Sequence, residues 1–236
     1  MANQEKARYV REMFTRIAHR YDLMNGLMTL GRDQAWRRIA VSMTDPPGGL
    51  ALDVATGTGD LALALLETSH VRRVVGLDFS EGMLRVGRAK LSLKDRARRV
   101  SLVAGDALAL PFRDATFACV TSAFLLRNLA DLEQGLAEMR RVTRPGGRVM
   151  AIEITQPTLR GFGSLFRWYF HGLVPRIGRL VSGDAEAYSY LPQSVDRFLP
   201  PAELAQLMES AGFREVRYRR VGIGTVTIHV GSAPVA

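Results

Sequence analysis

Leu52–Ala62 reads LDVATGTGDLA, an apolar run that carries Asp53 and leads into a glycine turn with Asp60 behind it. An apolar strand followed by a glycine turn and a helical pattern is the first βα unit of a nucleotide-type cofactor fold. Gly57 and Gly59 let backbone N–H groups approach a ligand where a Cβ would collide with it. The string alone leaves two cofactor classes open, because GTGDLA also satisfies the dinucleotide pattern G-x-G-x-x-A.

Outward from this turn, strand-like and helix-like segments alternate. Strands are predicted at 50–56, 72–79, 100–107, 116–124 and 147–155, with helical patterns at 60–68, 80–92 and 131–143. Short apolar strands spaced by single helices give a doubly wound α/β sheet, parallel over these strands. After a helix near 201–211, the runs 214–223 and 225–233 meet at Gly224, and so short a connection makes them an antiparallel hairpin. The expectation is a seven-stranded, mostly parallel, Rossmann-like sheet that resembles the class I S-adenosylmethionine (AdoMet) methyltransferase fold more than a dinucleotide dehydrogenase.

Composition narrows the function classes. The 236 residues suit one domain, read as 1–236, with a polar, Met-rich helical lid at 1–45 and a helical insertion at 156–200. The single cysteine, Cys119, excludes an internal disulfide framework and reads as a buried core thiol, and four scattered histidines argue against a metal site. No apolar leader and no 18-residue charge-free apolar run is present, so a cytoplasmic protein is expected, with peripheral contact at the inner face of the cell membrane left open. A net charge of +9 comes from arginines spread along the chain rather than gathered in a block. That pattern is most simply a solvated surface with a compositional bias, which still favours anionic surfaces, RNA or lipid headgroups; no nucleic-acid partner is expected. A homo-oligomer is also left open.

Four features fall in order at the carboxyl ends of the strands, where open α/β sheets bind ligands. GTGD would wrap the methionine part of AdoMet, with Thr58 and backbone amides at its carboxylate and Asp60 at its ammonium or sulfonium side. Asp78 would accept both ribose hydroxyls. Asp106 would accept from the adenine amino group while Ala107 leaves room for the ring, and TRPGGR (143–148) would stop a helix and turn the chain. Ala123, ending the fourth strand, completes the expected cofactor set. A nicotinamide cofactor would explain Gly57, Gly59 and Asp78 but has no use for the GDA string or the hairpin.

On the substrate side, FTRIAHRYDLMNGLMTLGRDQAWRR (14–38), FLLRNLAD (124–131), RVTRPGGRVMAIEITQP (141–157) and VPRIGRLVSGDAEAYSYLPQSV (174–195) resemble the ubiquinone/menaquinone biosynthesis C-methyltransferase family. The resemblance implies a polyprenylated quinol methylated on a ring carbon, with YLPQSVDRF pointing toward menaquinone and the benzoquinol of ubiquinone synthesis as the alternative. The chain departs from the family pattern at Asp33, Thr29, Leu125 and Ala123, and a catalytically silent membrane-docking protein is a further alternative.

Quinol chemistry asks for a cation. A phenol near pKa 10 takes roughly 4 kcal/mol to ionise at pH 7, and a charge-assisted hydrogen bond contributes about 1.5–3 kcal/mol. Arg127 is assigned to stabilising the quinolate and Asn128 to positioning the hydroxyl. Asp22 is the first candidate for the proton acceptor, with Asp184, His171 and Tyr188 beside it. From Phe162, the residues Leu165, Phe166, Tyr169, Phe170, Leu173 and Val174 follow helical spacing, with Arg160, Ser164, Arg167 and His171 opposite. That segment suits a membrane surface, a lid on a greasy pocket, or a helix packed on the sheet. Met13, Met24 and Met28 are likewise either lid or core.

Overall fold

A computed structural model describes residues 2–67, 70–93, 98–157, 162–182 and 184–235. Runs of five to eight residues, apolar except for the Arg-rich sixth, become the strands β1 (Gly49–Val54), β2 (Val71–Asp78), β3 (Val100–Ala104), β4 (Phe117–Ala123), β6 (Arg214–Val221) and β7 (Val226–Ser232). β5 (Thr143–Ile154) is longer, and the order across the sheet is β3-β2-β1-β4-β5-β7-β6. The pairs among β1 to β5 are parallel, whereas β7 runs antiparallel to both β5 and β6. The order reverses between β1 and β4, and that switch point opens a crevice at the strands' carboxyl ends.

The expected helices appear as α4 (Asp60–Leu66), α5 (Glu81–Ser92), α6 (Leu132–Val142) and α10 (Pro201–Ser210). Ser80 caps α5 by accepting from the Met83 N–H at 3.2 Å, and Asp131 caps α6 by accepting from Gln134 at 2.9 Å. Such caps contribute about 1 kcal/mol each. TRPGGR does not simply precede β5. The β4–β5 ladder jumps from Phe117↔Thr143 to Cys119↔Arg148, so residues 144–147 form a bulge, with Gly146 left-handed at φ 69°.

Residues 1–45 supply α1 (Ala2–Ile17), α2 (Tyr21–Thr29) and α3 (Asp33–Thr44). The insertion supplies α7 (Phe162–Arg167), a π-helical turn at Trp168–Leu173, α8 (Val174–Ser182) and α9 (Ala185–Asp196). Two core clusters fill the sheet's faces, and a third joins α1 and α2 to the insertion through Met13, Met24, Phe170, Val174 and Tyr188. The helices therefore close over the carboxyl ends of the strands as one apolar layer. Cys119 lies fully buried in β4, and burial pushes its thiol up to about 12, so it is an inert core residue.

Candidate active site

Two cavities meet beneath the helices. The first lies against the sheet and is lined by Gly57, Asp78, Gly105, Asp106, Ala107 and Ala123. The second, of about 600 Å³, lies under the N-terminal helices and the insertion and is walled mainly by apolar side chains. Phe14, Tyr21, Phe124 and Asn128 line both, so these four residues form the partition between them.

The first cavity fits the expected cofactor. Asp78 is 5 % exposed, with one oxygen accepting the Gly57 N–H and the other the Ser80 N–H, both at 2.8 Å. Each oxygen keeps a lone pair for a further donor, which is what a pair of ribose hydroxyls needs. Gly57 is left-handed at φ 57°, and a Cβ there would project into the gap between the turn and Tyr21, 3.9 Å from the ring. Asp106 accepts from Leu108 N–H with one oxygen at 2.9 Å, leaving the other for an exocyclic amine.

Burial pushes the Asp78 carboxyl up to about 6, against its backbone hydrogen bonds, which pull it down. Ribose hydroxyls donate to the ionised form. AdoMet affinity is therefore expected to hold above that pH and to fall about tenfold per unit below it. Calorimetric titration from pH 5 to 8 checks this, and Asp78→Asn should bind weakly with that dependence removed.

Thr58, Gly59 and Asp60 do not meet the cavity as expected. Thr58 donates to Asp22 at 2.6 Å, and a Cβ on Gly59 would face Leu91 at 3.7 Å. Asp60 pairs with Lys90 and lies 4.0 Å from Arg37, which also pairs with Asp33. Lys90 draws the Asp60 carboxyl below its ordinary range despite burial. The GTGD carboxylate is thus a partner in a charged network that ties the turn to α2, α3 and α5.

That network corrects the assignment of Asp22. Its carboxylate is shared between Thr58 and Lys90, the latter at 2.7 Å, and it does not line the quinol-sized cavity. Asp184 caps α9 and pairs with Arg16 at 2.8 Å, and His171 is exposed beside Asp196 at 3.1 Å. Of the four residues considered for the proton, Tyr188 is the one that lines the larger cavity.

Arg127 and Asn128 lie where β4 ends, beyond Phe124, whose backbone is left-handed at φ 60°. A bulky residue in that conformation marks a strained turn of the kind that positions functional groups. Arg127 Nη1 donates to Glu153 at 2.8 Å, and Glu153 also accepts the Leu126 N–H at 2.6 Å. Burial raises the Glu153 carboxyl while Arg127 pulls it down. The sequence reading passed over Glu153, although a lone carboxylate in the apolar run VMAIEIT was a signal. Asn128 donates to the Phe124 carbonyl at 2.8 Å. Arg127 Nε and Asn128 Oδ1 are both buried and have no protein partner. Both residues line the larger cavity, and Asn128 lines the first as well.

The amphipathic segment walls the larger cavity. Phe166, Tyr169, Phe170 and Leu173 line the larger cavity, Val174 is buried, and Ser164, Arg167 and His171 face outward. Its apolar face is thus turned to the cavity rather than offered to a membrane. Tyr169 donates to the Met28 carbonyl at 2.9 Å, joining the insertion to α2. Met13 and Met28 also line the cavity, whereas Met24 is core. Arg160 lies outside the described residues, and nothing is described of the Leu165 side chain.

The chain matches the ubiE/COQ5 methyltransferase family over residues 1–233. It is 47 % identical to a demethylmenaquinone methyltransferase of Roseiflexus castenholzii (96 % of this chain, 94 % of that one). It is 48 % identical to a demethylmenaquinone methyltransferase of Deinococcus radiodurans (97 % and 94 %). Among solved structures, a SAM-dependent methyltransferase of Thermotoga maritima superposes with a TM-score of 0.67 at 20 % identity, covering 94 % of this chain and 99 % of that one. This last likeness concerns the fold.

Proposed function

Because the chain belongs to the ubiE/COQ5 methyltransferase family, and so is an AdoMet-dependent C-methyltransferase, we propose that it converts a demethylmenaquinol to a menaquinol. The observation that carries this reading is that Arg127 and Asn128, which both line the larger cavity, each keep one buried polar atom, Nε and Oδ1, without a protein partner. A buried polar atom without a partner costs about 1–3 kcal/mol, so the pair is readily understood as waiting for a ligand that both accepts and donates. A quinol hydroxyl does both.

Gly57, Asp78, Asp106, Ala107 and Ala123 would hold AdoMet, which when bound supplies an electrophilic methyl group. Asn128 Oδ1 would accept from the quinol hydroxyl and fix the ring's orientation. Arg127 Nε–H would donate to the same oxygen and stabilise it as it loses its proton, which raises electron density on the adjacent ring carbon. Glu153 holds the guanidinium in place without touching substrate. The Arg127 donor, about 1.5–3 kcal/mol, offsets part of the roughly 4 kcal/mol that ionisation requires, Asn128 only orients the hydroxyl, and its proton passes to a base or to solvent. The aromatic and aliphatic walls, Phe166, Tyr169 and Phe170 among them, would exclude water and take the ring and the first part of its tail. The same reading gives residues 1–45 and 156–200 the role of substrate lid, with transient membrane contact as the source of a polyprenylated substrate.

Purified protein with methyl-labelled AdoMet should transfer label to a short-chain demethylnaphthoquinol. A benzoquinol counterpart and RNA form the comparison arms. Label on neither quinol would overturn the proposal, and preferential labelling of the benzoquinol would move the substrate to ubiquinone synthesis.

A further inference from the structure

The mouth of the larger cavity is built from residues that a water-facing surface disfavours. Leu30 is 86 % exposed and Ile223 is 60 % exposed, yet both line the cavity. Both also hold left-handed backbone, at φ 53° and 59°. Glycine or asparagine adopts that conformation far more easily than leucine or a β-branched isoleucine. Ile223 sits in the β6–β7 turn between Gly222 and Gly224, which are themselves left-handed, so a bulky residue occupies the centre of a turn that glycines otherwise form. Leu30 closes α2 and shares a stripe with the half-exposed Leu23 and Leu27 at helical spacing. Strain and exposed apolar surface coincide at one rim. In water both destabilise the protein, and contact with acyl chains would reverse the second.

The exposed charges beside Leu30 and on the neighbouring helix α8 are cationic. Arg32 is exposed and lines the cavity beside Leu30. Helix α8, packed against α2, exposes Arg176 and Arg179 and carries no carboxylate. The segment at 162–174 turns Phe166, Tyr169, Phe170 and Leu173 inward and exposes Trp168.

We infer that this rim docks on an anionic bilayer, with Leu27, Leu30 and Ile223 entering the acyl boundary and the arginines meeting lipid phosphates. A prenyl tail could then pass from lipid into the cavity without crossing water. The passage of the tail rests on the quinol reading above, whereas docking is measured independently of it.

The test uses the full-length protein and sedimenting vesicles, either phosphatidylcholine alone or mixed with phosphatidylglycerol. Wild type should partition onto the mixed vesicles, and less so at high salt. Leu30→Asn with Ile223→Asn relieves backbone strain, so Tm and AdoMet affinity should hold or rise. Partition should fall about tenfold or more, the loss expected when inserted apolar side chains are replaced by polar ones. Leu23→Ser, outside the cavity, should weaken partition while leaving turnover of a short-chain quinol in solution intact. Three results would overturn the inference: unchanged partition of the asparagine pair, equal partition onto pure phosphatidylcholine, or a change of solution mass in the pair, which would make the rim a contact between copies. Failure to methylate any quinol would instead strike the substrate reading, and vesicle partition would still decide this one.

Discussion

Arg127→Met is expected to lower methyl transfer by roughly 10²- to 10³-fold, the usual loss when one donor to a developing oxyanion is removed, while AdoMet affinity stays near that of wild type. The guanidinium lines the larger cavity and not the first, so the cofactor residues are untouched. The substitution also strands Glu153, 2 % exposed, without its cation. Breaking a buried pair in this way destabilises by about 3–5 kcal/mol. The two effects separate in the double variant Arg127→Met with Glu153→Gln, which should recover much of the stability and none of the turnover. The pH dependence distinguishes them further. A carboxylate whose folded pKa is raised binds protons more readily when folded, so the single variant should be least stable at high pH and recover as pH falls through that raised value. The double variant should lack this slope. Thermal unfolding across pH, read beside single-turnover rates, checks both.

Asp78→Ala is expected to be the most damaging change to cofactor binding. Two hydrogen bonds to an ionised acceptor, about 1.5–3 kcal/mol each, amount to a loss of roughly 10²- to 10⁴-fold in AdoMet affinity. The alanine also leaves the Gly57 and Ser80 N–H groups without their acceptor, which loosens the glycine turn and the start of α5 together. Asp78→Asn keeps an acceptor oxygen and should fall between the two. Equilibrium binding of AdoMet to the two variants measures the order, which should be wild type, asparagine, alanine.

The sheet was legible because each strand but the Arg-rich β6 is a short apolar run bounded by turn residues, a pattern set locally. The terminal hairpin was legible for the same reason, since one glycine cannot connect parallel strands. The amphipathic segment was half legible. Helical spacing from Phe162 marked an apolar face, but spacing cannot say what that face meets, and the π-helical turn at Trp168–Leu173 leaves no mark in it. The cofactor turn misled where its partners are distant. Thr58 and Asp60 read as ligand contacts, yet Asp22 is 36 residues from Thr58 and Lys90 is 30 from Asp60, separations at which no spacing rule operates. Asp22 turns to those partners and not to the larger cavity. Glu153 was missed because it lies in a strand read for its apolar pattern, with its partner on a different strand's end. Arg127 and Asn128 do line the larger cavity, and a polar pair just beyond an apolar strand is itself a local signal.

In the proposed reaction the methylated ring carbon is made nucleophilic by a hydroxyl held between Arg127 and Asn128. Single-turnover transfer from labelled AdoMet to one naphthalene ring in three forms tests it most directly: the quinol, the oxidised quinone, and the quinol with both hydroxyls capped as methyl ethers. The account predicts label on the ring carbon of the quinol alone. Comparable labelling of the quinone or the capped ring, or label on the quinol's oxygen, would contradict it.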